Sequence, residues 1–174
     1  MLHVRQRSPT HGFAYDVRDD AGAVVGHLDW PWLAQARNAR LKWHGDDARP
    51  GEIRVRVDGA EARIGWTYLR RGTTSDLRFE LTGADGPRAT LDVLVRPRQR
   101  RHALVVRAPF EGAMVRDGRL GRARYLIRQD ERTLGLVEEP RRFTWVRELR
   151  VDLPAALDRD RQLFFAVMAL NDLT

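Results

Sequence analysis

Near its end the chain holds eight consecutive residues with no polar side chain, Leu163-Phe164-Phe165-Ala166-Val167-Met168-Ala169-Leu170. At about 3.6 residues per turn such a block goes more than twice round a helix. The helix is therefore apolar on every side and has to be surrounded. A membrane crossing takes about 20 apolar residues, so this block is too short to be buried in lipid. What precedes it is a succession of short alternating segments, and wrapping those strands around the helix is the way to bury it. Asp158 and Asp160 stand where a carboxylate meets the unpaired amides and positive dipole end of a helix. The spacing predicts a helix over 159–171, inside a central unit spanning 158–172.

The segments before it read as strands because their apolar residues recur every second position. Phe13, Tyr15 and Val17 alternate with Ala14, Asp16 and Arg18; Ile53, Val55 and Val57 alternate with Arg54 and Arg56. The pattern continues through Ala62, Ile64, Trp66 and Tyr68, through Leu77, Phe79 and Leu81, and through Ala89, Leu91, Val93 and Val95. Residues 102–108 are apolar on both faces, as in a covered strand. Tyr125 and Ile127 face inward with Arg122, Arg124 and Arg128 opposite, and further strands are expected over 38–43, 133–138 and 142–153. Asp58-Gly59 is a hairpin signal, since both residues tolerate positive φ. The expectation is about twelve antiparallel strands forming one closed, mostly β barrel around the terminal helix. A chain of 174 residues is most simply one domain. Residues 1–11 carry no such pattern and are expected to be a flexible or loosely packed start.

Phe143, Trp145, Leu149, Val151 and Leu153 share one face, and Arg147 falls among them. An arginine there marks an inward ligand-binding group, a β-bulge that shifts register, or a side chain reaching out from the barrel rim.

The order of many antiparallel strands followed by an apolar helix resembles the tubby C-terminal-like superfamily, which includes tubby proteins, phospholipid scramblases and LURP-one-related proteins. Two stretches carry the resemblance. One is Phe13 to Gly26, an aromatic-led strand, an Asp-x-x-Gly turn and a returning strand, similar to the opening of the small LURP-one-like members. The other is Phe143–Leu153 followed by Leu163–Leu170. The resemblance implies a twelve-stranded barrel threaded by its last helix, and an anion-binding face for phospholipid head groups. Scramblases carry lipidated cysteines and a membrane-spanning end. This chain has no cysteine, so scramblase activity is not expected of it.

The formal net charge is +7, and all but one of the 31 basic residues are arginine. Coding bias accounts for arginine in place of lysine, but not for the surplus of positive charge, which points to anionic partners. The densest run is Arg96-Pro97-Arg98-Gln99-Arg100-Arg101, without an acidic member and at an expected hairpin tip. Arg96, Arg98, Arg100 and Arg101, with Arg70 and Arg71 at another turn, are the candidate anion- or lipid-binding residues. Arg141 and Arg142 also fall at a turn. Trp30-Pro31-Trp32 reads as the plug of a barrel end or an interfacial anchor.

No catalytic constellation emerges. The five histidines are scattered, and there is no nucleophile elbow or phosphate loop. His44-Gly45-Asp46-Asp47 lacks the further ligands a metal needs, so neither metal nor cofactor is expected. The aromatic residues fall mostly on inward faces, unlike the outward stacking platforms of single-strand nucleic-acid binders. The reading is a non-catalytic binding or scaffold module of the cytoplasm, peripheral to an anionic membrane surface or bound to a protein partner through an arginine-rich rim. The alternatives are an enzyme with its site at a barrel mouth and, third, a nucleic-acid-binding domain. Buried carboxylates and histidines with shifted pKa values would favour the enzyme.

Overall fold

A computed structural model describes residues 1–8, 13–30, 52–70, 76–96, 101–117, 124–140 and 146–172. The strands are β1 (Leu2–Gln6), β2 (Phe13–Arg18), β3 (Val24–Trp30), β4 (Ile53–Val57), β5 (Ala60–Arg70), β6 (Asp76–Gly83), β7 (Gly86–Arg96), β8 (Arg101–Ala108), β9 (Gly112–Arg116), β10 (Arg124–Gln129), β11 (Arg132–Glu138) and β12 (Glu148–Asp152). Among the described residues one helix, α1 (Arg159–Asp172), follows them. Every strand pairs antiparallel with its sequence neighbours, and β1 pairs with β12 to close a twelve-stranded barrel.

Closure depends on the first residues. Leu2 lies opposite Val151 and Val4 opposite Leu149, and all four are buried. The loose start expected for 1–11 is thus corrected over 2–6: Leu2, Val4 and Gln6 alternate inward as a barrel strand, in a run too short and too polar to stand out before its neighbours are known. The expected strand at 38–43 lies outside the described residues. The long strand expected over 142–153 is described from Glu148, and residues 141–145 lie outside.

The interior follows from geometry. Twelve strands about 4.8 Å apart and tilted by about 40° enclose a cylinder of roughly 12 Å radius. A helix with its side chains is about 10–12 Å across, leaving room for one layer of strand side chains all round. That layer is the inward set: Tyr15, Leu28, Ile53, Ile64, Phe79, Leu91, Val106, Ile127 and others, each at most 1 % exposed. Leu163 through Leu170 are buried without exception. Phe165 meets Phe164 edge-on at 5.8 Å and stacks with Phe110 at 6.1 Å. No described helix is long and apolar enough to cross a membrane.

The helix is fixed at its start by charge. Arg159 Nη1 donates to Asp58 Oδ1 at 2.6 Å, and Arg161 Nε donates to the Arg88 carbonyl at 3.1 Å. Of the two expected capping residues, Asp160 accepts the Arg161 amide at 2.8 Å. Asp158 instead binds the side chains of Arg88 (2.6 Å) and Arg161 (3.2 Å). The β4–β5 turn has the expected form, with φ of 52° at Asp58 and 79° at Gly59.

Replacing Phe165 or Met168 by Asp strands a charge among apolar neighbours. Both variants are expected to be lost from the soluble fraction on expression. Phe165→Ala is expected to cost about 3–5 kcal/mol, read by urea unfolding. Normal thermal unfolding of the two Asp variants would refute the role assigned to the helix.

Candidate functional site

Antiparallel pairing sends odd-numbered strands to one rim of the barrel and even-numbered strands to the other. The even strands end in short connections: residues 19–23, 58–59, 84–85, 109–111 and 130–131, and 153–158 before the helix. The odd strands end in connections of 7–12, 31–52, 71–75, 97–100, 117–123 and 139–147. These are the tight rim and the wide rim.

In the sequence, the two sets of connections differ in charge. By sequence the tight-rim connections hold eight acidic residues and no basic one, whereas the wide-rim connections hold thirteen basic and five acidic. Turn chemistry and helix capping explain much of the acidic end, since Asp favours tight turns and helix starts. Several of those carboxylates are also paired: Asp20 with the Met1 amine at 3.1 Å, Asp58 with Arg159, Asp158 with Arg88. No turn rule favours arginine. Helix α1 enters at the tight rim, so its negative end faces the wide one; a helix terminus is worth about half a charge, far less than a surplus of eight.

Of the arginines singled out in the sequence, Arg70, Arg96 and Arg101 stand at strand ends on this wide rim. Arg96 and Arg101 occupy one register position, ending β7 and opening β8. Arg98 and Arg100, in the connection between them, lie outside the described residues, as do Arg71, Arg141, Arg142 and the His44–Asp47 stretch. Arg70 ends β5 opposite Asp76, with Nε 3.4 Å from its Oδ2, and is 60 % exposed. Just before Arg70, Tyr68 and Leu69 are exposed large side chains, and Val115 at the same end of β9 is another. Periodicity did not single out this apolar fringe, because a strand outgrowing its neighbours' cover is visible only in the assembled barrel.

Arg147 resolves among its three readings. The β1–β12 and β11–β12 ladders run without a register shift, so no bulge accounts for it. Arg147 stands one step before β12, in phase with the buried Leu149 and Val151, and its side chain is 25 % exposed. It is an inward-phase arginine at the rim, with Nε 3.7 Å from Glu139 Oε1.

Two other charged clusters are bonded within themselves. On the outer face, Asp92 is 2 % exposed and accepts Arg78 through both oxygens, at 2.8 and 3.0 Å, and Arg107 Nε at 2.9 Å. Burial alone would raise the Asp92 pKa; the hydrogen bonds and charges of the two guanidiniums outweigh it and hold the carboxyl below its ordinary value. Asp16 has the same balance. Burial raises its pKa, while Arg7 (2.6 Å) and His27 (3.0 Å) lower it further, so it is a fixed anion rather than a proton acceptor. Arg7 Nη2 also lies against His27 Nδ1. An open groove of about 820 Å3 runs over β5 and β6 past Gly65, between Glu61, Arg63, Arg78 and Glu80. Its arginines are engaged: Arg63 with Glu52 at 3.2 Å and Glu61 at 3.8 Å, and Arg78 with Asp92. Among the described residues no three metal-ligating side chains come together.

Comparison with known proteins finds no matching family model, no matching curated protein and no matching solved structure.

The Asp92 network predicts an acid dependence. A carboxyl whose folded pKa is depressed contributes stability above its unfolded pKa, about 3.9, and loses it as pH falls through the folded value. Asp92→Asn is expected to unfold at lower temperature than the native chain at pH 7. The difference should shrink as pH drops below about 4. Thermal unfolding of both chains at pH 7 and pH 2.5 checks this, and a difference independent of pH would contradict it.

Proposed function

We propose that this chain is a non-catalytic, peripheral lipid-binding module that sets the wide rim of its barrel against an anionic phospholipid surface. The observation that carries the reading is the separation of charge between the two rims. A molecule polarised in this way is oriented by a negative surface before it touches it. Each arginine near an anionic leaflet contributes about 1 kcal/mol, so roughly eight rim charges acting together supply the ~8 kcal/mol of micromolar attachment. Tyr68 and Leu69 beside Arg70 supply the mixture of aromatic, apolar and basic side chains suited to the head-group layer. The interior is occupied by α1, which argues against a carrier of small apolar ligands. Its location, in this reading, is the cytoplasmic face of a membrane. The barrel threaded by its last helix is the layout expected of tubby C-terminal-like proteins, and we propose membership of that superfamily on layout and on the opening Phe13–Gly26 pattern.

Co-sedimentation with anionic and with neutral vesicles, each at low and high salt, tests the reading. Binding is expected to anionic vesicles alone and to weaken steeply with salt. Replacing Arg98, Arg100 and Arg101 together by Ala should reduce it by on the order of 100-fold, from three contacts of about 1 kcal/mol each. Equal binding to neutral vesicles, or none to either, would overturn the proposal.

A further inference from the structure

The barrel interior is not apolar throughout. On β1 the inward positions are Leu2, Val4 and then Gln6; on β2 they are Val17 and, toward the wide rim, Tyr15. Gln6 lies opposite Tyr15. Beyond β12 the inward phase of Val151 and Leu149 reaches Arg147, and beyond β11 the phase of Val137 reaches Glu139. Four neighbouring strands thus bring Tyr15, Gln6, Arg147 and Glu139 to the wide mouth. The Gln6 amide donates to the Arg147 carbonyl at 2.8 Å, and the Arg147 amide donates to Gln6 Oε1 at 3.2 Å, which locks the two backbones together.

Two features of this cluster are not explained by the fold. The Tyr15 hydroxyl is buried and has no hydrogen-bond partner among the described residues, and Tyr15 as a whole is 1 % exposed. A buried hydroxyl left unpaired costs about 1–3 kcal/mol, and phenylalanine has the same shape without that cost. The second feature is the 3.7 Å separation of Arg147 from Glu139, too long for a hydrogen bond, with the side chains 25 % and 21 % exposed. Both charges keep bonding capacity and access to solvent. Burial pushes the Tyr15 pKa up to about 12; Arg147 pulls it down and Glu139 pushes it up by smaller amounts. The phenol therefore stays a proton donor at every physiological pH, close enough to both charges to feel them.

We propose that this cluster is a seat for a zwitterionic ligand, with an oxyanion held by Arg147 and the Tyr15 hydroxyl and an ammonium group held by Glu139. A simple anion fits less well, because Glu139 repels whatever Arg147 attracts unless the ligand brings its own cation. A guanidinium fork matches phosphate and carboxylate alike, and the serine phosphodiester head group carries both beside an ammonium. Its net charge is also negative, as the surrounding rim requires. The seat deepens the lipid-surface reading and, for a membrane-borne ligand, rests on it.

The decisive comparison is between phosphatidylcholine vesicles containing equal mole fractions of phosphatidylserine or of phosphatidylglycerol. The two have the same surface charge and differ in the ammonium and carboxylate. Phosphatidylserine is expected to bind about tenfold more tightly, the worth of one added charge-assisted hydrogen bond. Equal binding to the two overturns the seat and leaves the lipid-surface reading standing. In a soluble arm, glycerophosphoserine should raise the unfolding temperature and glycerol 3-phosphate should not. A rise there without vesicle binding retains the seat for a free ligand and removes the membrane; no rise, together with no preference among vesicles, overturns the seat. Tyr15→Phe should abolish the preference while leaving the ligand-free unfolding temperature equal or higher. A clear loss of stability in Tyr15→Phe would show that the hydroxyl already has a structural partner, and would overturn its assignment. Glu139→Gln should also remove the preference; a preference that survives it would overturn the ammonium site.

Discussion

The helix and the barrel wall each exist because of the other. A twelve-stranded antiparallel barrel is too wide for its own side chains to fill, and Leu163–Leu170 is too apolar to stand in water on any side. Enclosing the one within the other removes both problems and buries an inward face on every strand at once. Because the wall closes through the pairing of β1 with β12, the first residues and the last strand are as necessary to the enclosure as the helix. Among the described strands no edge remains for another chain to pair with, which leaves the rims and the outer surface as the places where the molecule meets partners.

Filling the interior also decides where recognition takes place. The two rims differ because the connections differ. Short hairpins at one end select Asp and Gly for conformational reasons, so that end becomes acidic as a by-product of turning. At the other end the connections carry, by sequence, arginines that no turn requires, and the exposed Tyr68 and Leu69 stand beside Arg70 at the end of β5. Toward the wide mouth, polar residues enter the inward phase. Gln6, Tyr15, Glu139 and Arg147 occupy that position, and the same side chains nearer the helix centre would have cost far more to bury.

Much of the wall was legible from alternation alone. The inward sets of β4, β6 and β7 are the ones that period 2 predicts, and they are buried as expected but for Val95, which is half-buried at the end of β7. Residues 2–6 were not legible, because three alternating positions carry little signal without the partners on either side. Gly135 is another instance: nothing local demands it, yet a β-carbon there would collide with the Asp152 carbonyl on β12. The arginine-rich hairpin was visible as a run of like charge, but the shared rim of six connections was not, since it follows from strand direction and closure rather than from any one stretch.

The amino-acid sequence determined by itself that a wholly apolar helix ends the chain, that alternating strands precede it, and that positive charge exceeds negative. These are local properties of side-chain type and period. Only the tertiary structure decided that all odd strands end together, that the strand ends joined by basic-rich and by acidic connections therefore lie at opposite rims, and that Arg147 comes to the mouth beside Glu139, Gln6 and Tyr15. Those facts depend on antiparallel pairing closing into a ring, which brings residue 6 against residue 147, and separation along the chain carries no record of that.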